Sequence, residues 1–414
     1  MPESPNAFVF PLAKADLCVK CGLCLPHCPT YQESRHEADS PRGRIMLMQG
    51  LASGLIEHSG SLQAHLDGCL SCRSCERVCP AKVPYGELID AGRAMLTTQY
   101  VPAPRLTRWL APWLTSAPLR RIAHILLAFY QRSGLQRLVA IAGLLRRGRI
   151  GRWLSLVPEP AAAVTVGDWR APRRQQTVQM FDGCVGAIAD AATLATIRTL
   201  LDRCGFDVQT PSRQTCCGAL HQHAGLPSRA RELAARNADA FAGDAPIVYA
   251  ASGCGATLKE YPLVAAGDDA AAAMAARVRE PHRFLLDHWP ADVTLRSLDA
   301  KVAVHQPCTQ RNVTGGSDAV TALLRKIPGA RIEALDVQHN CCGAAGTYFV
   351  SQPDMADRLL DHKLDALAAA KPDFLVSSNI GCTLHIAAGL RRRGLTVPVL
   401  HPLALVARQW PSDT

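Results

Sequence analysis

The run Cys18-Val-Lys-Cys21-Gly-Leu-Cys24-Leu-Pro-His-Cys28-Pro29 places four thiols in C-x2-C-x2-C-x3-C-P spacing. Three sulfurs fall on one tight loop and the fourth is carried away on the segment that follows. That is the ligand arrangement of a cubane [4Fe–4S] cluster, in which the fourth cysteine serves a second cluster. The chain supplies the matching run, Cys69-Leu-Ser-Cys72-Arg-Ser-Cys75-Glu-Arg-Val-Cys79-Pro80. The spacing therefore predicts two clusters with crossed ligands. Cys18, Cys21, Cys24 and Cys79 hold the first, and Cys69, Cys72, Cys75 and Cys28 hold the second. Structural zinc is the alternative for paired C-x2-C motifs, but it leaves the third cysteine of each run and the following proline without a role. Pro29 and Pro80 end the runs, since proline offers no N–H to the sulfurs and fixes the direction of the chain.

A second set of thiols recurs as an internal repeat. In the first copy 31 residues separate Cys184 from Cys216-Cys217-Gly218, and 36 separate Cys217 from Cys254. In the second, 32 residues separate Cys308 from Cys341-Cys342-Gly343, and 39 separate Cys342 from Cys382. These eight cysteines fit a further iron–sulfur cluster or one per repeat, a redox-active dithiol, or buried structural thiols. His221, His223, His305, His339 and His385 lie near them, and His305 and His385 stand beside Cys308 and Cys382. A ligand or proton-coupled role competes there with ordinary capping. Cys204 belongs to neither copy and reads as a core residue.

The elements that must position these thiols follow from hydrophobic pattern. Between the first two runs, Arg44–Glu57 and Ser61–Leu66 read as helices, with Ser40-Pro41 as a start signal. The module spanning residues 1–90 is thus a helical ferredoxin domain. Beyond residue 175, strands at Thr177–Phe181, Ile247–Ala250, Lys301–His305 and Asp373–Ser377 alternate with helices at Ala187–Asp202, Ser228–Ala242, Asp318–Lys326 and Pro353–Ala370. That alternation predicts an α/β fold with duplicated parallel sheets, whose strand ends carry the Cys-Cys-Gly loops. The expected divisions are 1–90, 91–175, 176–300 and 301–414, and the last two units face each other.

The formal net charge of +10 is localised. Residues 91–158 hold eleven Arg and no Lys, Asp or Glu, so the rest of the chain is close to neutral. Within this connector Ile122, Ile125, Leu126 and Phe129, then Leu135, Leu138, Ile141, Ala142 and Leu145, follow helical spacing. Trp109, Trp113 and Trp153 lie among them. Basic amphipathic helices of this kind bind a membrane surface, or pack on the protein's own domains or a partner subunit. No base-reading module is present, so nucleic acid is not an expected partner. No apolar run approaches the roughly 18 residues of a membrane span, and the amino end shows no secretory signal. The clustered, odd-numbered set of 17 cysteines suits a reducing cytoplasm rather than a disulfide framework. The sequence contains no dinucleotide loop, Walker sequence, flavin signature or Ser/His/Asp pattern.

Taken together, the two cysteine runs, Asp39-Ser-Pro-Arg-Gly-Arg44, Ala251-Ser-Gly-Cys-Gly-Ala256, Lys259-Glu-Tyr261, Cys341-Cys-Gly-Ala-Ala-Gly-Thr-Tyr348 and Asn379-Ile-Gly-Cys382 resemble the glycolate oxidase iron–sulfur subunit family. The resemblance covers the chain apart from the connector. It implies an oxidoreductase subunit that does not oxidise substrate alone. FAD would reside in partner subunits that oxidise glycolate, and electrons would pass through the clusters to quinone or another membrane acceptor. The location implied is the cytoplasmic face of the inner membrane. Related subunits serve lactate and anaerobic glycerol-3-phosphate oxidation. The Cys-Cys-Gly units also resemble a heterodisulfide reductase subunit with noncubane clusters. There the repeat closes with C-x-x-C, whereas here Cys254-Gly-Ala-Thr257 and Cys382-Thr-Leu-His385 are each one thiol short.

Overall fold

In the computed structural model, residues 9–142, 148–159, 164–172, 176–335 and 341–412 are described. His339 and the stretch holding Leu145 lie outside them.

The helix between the two cysteine runs begins where its capping chemistry puts it. Ser40 Oγ accepts the Gly43 N–H at 2.9 Å and Pro41 takes the first helical position, so the helix spans Pro41–Ala52. It starts and ends earlier than hydropathy alone suggests, because Gly54 turns the chain at φ 69°. The next helix, Gly60–Asp67, is capped by Ser59, and Tyr85–Gln99 runs alongside both. Met48, Leu66, Leu88 and Ile89 are completely buried between them and form the core of the amino-terminal unit.

The two carboxy-terminal repeats build parallel sheets. The first contains β1 (Thr177–Phe181), β2 (Asp207–Gln209) and β3 (Ile247–Tyr249), in the order β2-β1-β3. The second contains β4 (Lys301–His305), β5 (Arg331–Ala334), β6 (Phe374–Ser377) and β7 (Val399–Leu400), in the order β5-β4-β6-β7. All these pairings are parallel. Each central strand is therefore covered on both faces, and every residue after its first is buried, Gln179 in the middle of β1 included. The edge strands β2 and β5 are short and largely exposed, which is why hydropathy does not reveal them. The helix expected over Ala187–Asp202 is broken at Asp190 into Cys184–Ala189 and Ala191–Arg203. Pro353–Ala370 is a single helix over the span expected of it.

One core unites the repeats. Val178 and Met180 of β1 pack in the same buried cluster as Val302 and Val304 of β4 and Val376 of β6. The carboxy-terminal helix Pro402–Arg408 crosses back to lie on Ala191–Arg203. Beyond it Trp410 is fully buried between Trp169 and Trp289, with ring centroids at 5.9 and 5.7 Å. Its indole N–H donates to the Trp169 carbonyl at 2.9 Å.

The arginine-rich connector forms helices Arg105–Thr115, Ala117–Arg132, Leu135–Ile141 and Gly148–Ser155. Its polar side is tied to both repeats. Arg120 donates to the Gln214 carbonyl at 3.1 Å, His124 meets the Ile188 carbonyl at 3.0 Å, and Arg152 pairs with Asp357 at 2.6 Å. Its apolar side stays largely uncovered, with Phe129 68%, Trp109 64% and Leu138 63% exposed. No helix among the described residues is long and apolar enough to cross a membrane.

Removing the Trp410 side chain empties the contact that locks the two repeats. Trp410→Ala should lower stability by about 3–5 kcal/mol, seen as an earlier denaturant midpoint for the carboxy-terminal half by near-UV circular dichroism.

Candidate metal centres

Both ligand loops coil in the same way. Lys20 and Gly22 adopt left-handed φ values of 57° and 84°, and Ser71 and Arg73 adopt 49° and 59° at the same offsets from Cys69. Alternating handedness turns successive backbone N–H groups towards one point, making a concavity that favours anionic sulfur. Glycine takes such a conformation without strain, whereas Arg73 is held there by side-chain bonds. Its guanidinium pairs with Glu76 at 2.6 Å and with Glu260 of the first repeat. The turn after the first loop, Leu25–His27, then carries Cys28 away from its neighbours.

The destination of each fourth cysteine is visible in two cavities. Cys18, Cys21, Cys24 and Cys79 line one, and Cys28, Cys69, Cys72 and Cys75 line the other. Each therefore takes three thiols from one run and a single thiol from the other. All eight cysteines are free thiols, so no disulfide competes for the sulfur. The cavities differ in depth. Cys21 is exposed on the first, beside Val19 and Leu23, whereas all four thiols of the second are buried.

Burial works against ionisation. It pushes the Cys24 thiol up to about 11 and the Cys72 thiol up to about 12, with help from neighbouring sulfurs, and raises Cys75 well above its ordinary value. Four such groups can lose their protons together only against compensating positive charge. An all-sulfur donor set of this size, in a backbone nest, fits an iron–sulfur cluster chemically.

Arg44, 1% exposed, is the buried cation of the second cavity, whose wall also includes Arg73. It donates to the His65 carbonyl at 2.6 Å, to Thr30 Oγ1 at 3.0 Å and to the Asp39 carbonyl. Burial opposes its charge, but Tyr85, Cys69, Cys28 and Asp39 outweigh that cost and keep the guanidinium protonated. Arg42, two residues earlier, donates to the Lys20 carbonyl at 3.0 Å and so braces the first loop. Gly43 between them is obligatory: a Cβ would sit 2.0 Å from the Glu37 carbonyl oxygen. Tyr85 completes the second wall, its hydroxyl 3.6 Å from Cys69 Sγ.

The other eight cysteines form two tetrads, one per repeat. Cys184 Sγ lies 3.5 Å from Cys216 Sγ, and side-chain bonds continue through Cys217 to Cys254. The second repeat reproduces the chain as Cys308, Cys341, Cys342 and Cys382. In each tetrad one sulfur is held far below the usual thiol range: Cys216 by hydrogen bonds from Cys184 and Cys217, and Cys341 by bonds from Cys308 and Cys342. The partners that donate, Cys184, Cys217, Cys308 and Cys342, are driven up. Cys254 and Cys382 stand in the first turns of helices Ser252–Lys259 and Ile380–Arg393. Gly343 follows its pair at φ 85°, where a Cβ would lie 2.7 Å from the Ala356 carbonyl oxygen.

The histidines divide. A ring nitrogen of His305 lies within 4.8 Å of both Cys342 and Cys382 Sγ. His385 faces the Ala356 carbonyl at 3.4 Å and stacks on Phe349. Desolvation holds it down at about 4, so it stays neutral at physiological pH. His223 pairs with Asp90 at 2.9 Å in the amino-terminal unit. His221 is buried near Cys216 and its pKa is lowered chiefly by desolvation. Cys204 is fully buried in the shared core.

Several supporting residues escape a reading based on thiol spacing. Asn237 donates to the Cys216 carbonyl at 3.0 Å and to Tyr261 Oη at 2.9 Å, while Tyr261 donates to the Cys217 carbonyl at 3.1 Å. Asn312 Nδ2 reaches the Cys72 carbonyl at 2.7 Å, and Tyr348 donates to the Gly68 carbonyl at 3.1 Å. Their short distance in sequence from a motif cysteine is the signal that could have found Asn312 and Tyr348. Asn237 carries no such mark. A wider cleft of about 300 Å³, bounded by Arg277, Arg279, Arg283 and Asp287, has no cysteine in its wall.

Comparison with known proteins gives matching assignments. The 4Fe-4S dicluster domain family matches residues 14–83, and the Cysteine-rich domain family matches 178–259 and 302–387. The chain is 33% identical to the probable glycolate oxidase iron-sulfur subunit of Bacillus subtilis (strain 168), over 96% of this chain and 94% of that one. It is 34% identical to the glycolate oxidase iron-sulfur subunit of Escherichia coli (strain K12), over 90% of each. Lactate utilization protein A of Geobacillus kaustophilus is 33% identical over 49% of this chain and 86% of its own length.

Arg44→Met should cost about 1–3 kcal/mol by taking a donor from the His65 and Asp39 carbonyls and from Thr30, and any metal held in the second cavity should leave ahead of that in the first on mild chelation, followed by visible absorbance. His385 sets a pH dependence. Because its folded pKa lies near 4, the unfolded chain binds the extra proton first, and stability falls as pH drops from about 6.5 towards 4. His385→Gln should remove up to about 3 kcal/mol of that slope, measured as denaturation midpoints of variant and parent across this window.

Proposed function

The chain belongs to the glycolate oxidase iron–sulfur subunit family, and we propose that it is the electron-transfer component of a flavin-dependent 2-hydroxy-acid oxidase, with glycolate as its first candidate substrate. The observation that carries the proposal is the pair of cavities, each walled by four free thiols drawn from both cysteine runs. In this reading Cys18, Cys21, Cys24 and Cys79 hold one [4Fe–4S] cluster, and Cys28, Cys69, Cys72 and Cys75 hold the other. Such clusters, when bound, supply one-electron storage and transfer. The residues around them set its conditions. The two backbone nests and Arg44 favour ionised sulfur, Arg42 fixes the first loop, and the packing of Tyr85 and Leu70 keeps water from the second site.

The difference in depth gives the path a direction. Cys21 with exposed Val19 and Leu23 forms a small apolar rim at the first cavity. A partner subunit carrying FAD docks there, and the buried second cavity passes electrons inward. Substrate oxidation takes place in that partner, so the isolated chain is inactive towards 2-hydroxy acids. Quinone is the proposed final acceptor. The division at 1–90, 91–175, 176–300 and 301–414 assigns cluster binding to the first unit and attachment to the second.

Attachment is to the cytoplasmic face of the inner membrane. Ile125, Leu126, Phe129, Leu138 and Ile141 leave an uncovered apolar surface on a segment with no acidic residue. Apolar insertion combined with cationic attraction is the means by which peripheral helices hold anionic bilayers. The relationship to a lactate utilization protein favours lactate as the alternative substrate.

The decisive experiment is anaerobic co-purification with the flavoprotein subunits, followed by substrate-dependent bleaching of the cluster absorbance. Glycolate should bleach it, and glycolate oxidation by the isolated chain would refute the assignment. D-lactate, L-lactate and glycerol-3-phosphate belong in the same assay. Ligand crossing has its own check: Cys79→Ser should alter the electron paramagnetic resonance signal that Cys21→Ser alters, while Cys28→Ser alters the other. Ile125→Glu with Phe129→Glu should reduce sedimentation with vesicles containing anionic phospholipid by tenfold or more (about 1.4 kcal/mol per tenfold), leaving both cluster signals in place.

A further inference from the structure

The two cysteine-rich repeats share a plan but not their neighbours. In the first, the segment that opens on the leading cysteine, helix Cys184–Ala189, packs on connector helix Ala117–Arg132. In the second, the matching stretch, which leads into the wide turn Gln310–Thr314, lies against the amino-terminal unit. Cys341 shares a buried cluster there with Leu70 and Cys72, and Cys308 packs against it. Asn312 clamps the join, its Nδ2 donating to the Cys72 carbonyl at 2.7 Å and to Ser74 Oγ at 3.1 Å.

A charge accompanies this change of neighbour. Three places after its leading cysteine the first repeat carries Ala187, and the second carries Arg311. Ala187 packs on the shared apolar core. Arg311 is half-buried, and its backbone N–H donates to the Pro307 carbonyl at 3.0 Å. The residues on either side of it are fixed. Gln310, 1% exposed, donates to Glu280 Oε1 at 3.1 Å and accepts from Ser378 Oγ at 2.9 Å, while Asn312 is tied to the Cys72 loop. Burial works against the Arg311 charge and so does Arg77, whereas the thiols of Cys308, Cys72 and Cys341 favour it. A guanidinium keeps its proton throughout the physiological range. A full positive charge therefore stands at the join, within the field of a thiol that lines the second amino-terminal cavity.

We propose that Arg311, contributed by the second repeat, raises the reduction potential of the site walled by Cys28, Cys69, Cys72 and Cys75. The proposal rests on the cluster reading above and adds to it a residue from outside the ferredoxin unit. One electron from the partner's flavin enters that site, no bond is made or broken, and the site gains one negative charge. A fixed cation nearby favours the form that carries the added charge. A unit charge some 10 Å away, in a medium of effective dielectric constant about 20, changes such an equilibrium by about tenfold or more. Arg311 thus draws electrons towards the buried site from the exposed one, and a chain without the second repeat would lack that pull.

The test is a potentiometric titration of the full chain, purified anaerobically and followed by electron paramagnetic resonance. The signal that Cys28→Ser alters marks the second site. Arg311→Met should weaken reduction of that site about tenfold, a fall of about 59 mV for a one-electron couple, and leave the other signal where it was. Arg311→Lys, which keeps the charge, should restore most of the loss. A residue that merely held the join together would act in the opposite sense, because a loosened join admits water, which stabilises added charge and raises the potential. A rise or no change in Arg311→Met, or an equal fall in Arg311→Lys, would overturn the inference while the cluster reading stood. A parent chain with no iron–sulfur signal would overturn both.

Discussion

Sulfur atoms gathered four at a time around one cavity repel one another once they ionise, and the surrounding structure supplies what opposes that repulsion. In the amino-terminal unit this takes two forms. Left-handed residues at matching positions turn backbone N–H groups inward, and Arg44 sits beside the second cavity with its charge maintained by the groups it serves. In the repeats the means are hydrogen bonds from neighbouring thiols, which hold one sulfur of each chain, Cys216 or Cys341, well below the usual range. The helices, caps and sheet registers make these groups converge from distant parts of the chain.

Convergence also explains the interlocking of the parts. Cys28 and Cys79 each leave their own loop to complete the opposite cavity, so neither half of the ferredoxin unit is finished alone. The repeats repeat this logic at larger scale. Their central strands contribute to one core, the last helix returns to the first repeat, and Trp410 closes the seam. The connector runs across both, fastened by polar contacts on one side and bare on the other.

Cysteine spacing made the ligand loops legible, because C-x2-C-x2-C turns leave the sulfurs little choice of direction. The buried strands β1, β3, β4 and β6 were equally readable, being short, mainly apolar segments that end near a motif. Strands β2, β5 and β7 were not, since short edge strands bury too little to impose a pattern. The division of labour between His305 and His385 was also hidden. Both stand beside a cysteine in sequence, but strand direction carries one to the sulfurs while helical rotation sends the other to Ala356. Asn237, 21 residues from the Cys216 carbonyl it holds, carries no local mark of its role.

The seal over Cys72 has a consequence for how the molecule is made. Leu70 and Cys72 are covered by Cys341, Tyr348, Ala356 and Leu359, all from the second repeat. A ribosome delivers those residues hundreds of positions after the ligand loops have emerged. During that interval the inner pocket of the amino-terminal unit lacks its cover. Arrival of the last repeat supplies it, so the wall around Cys72 reaches its final burial only when the whole chain has been made.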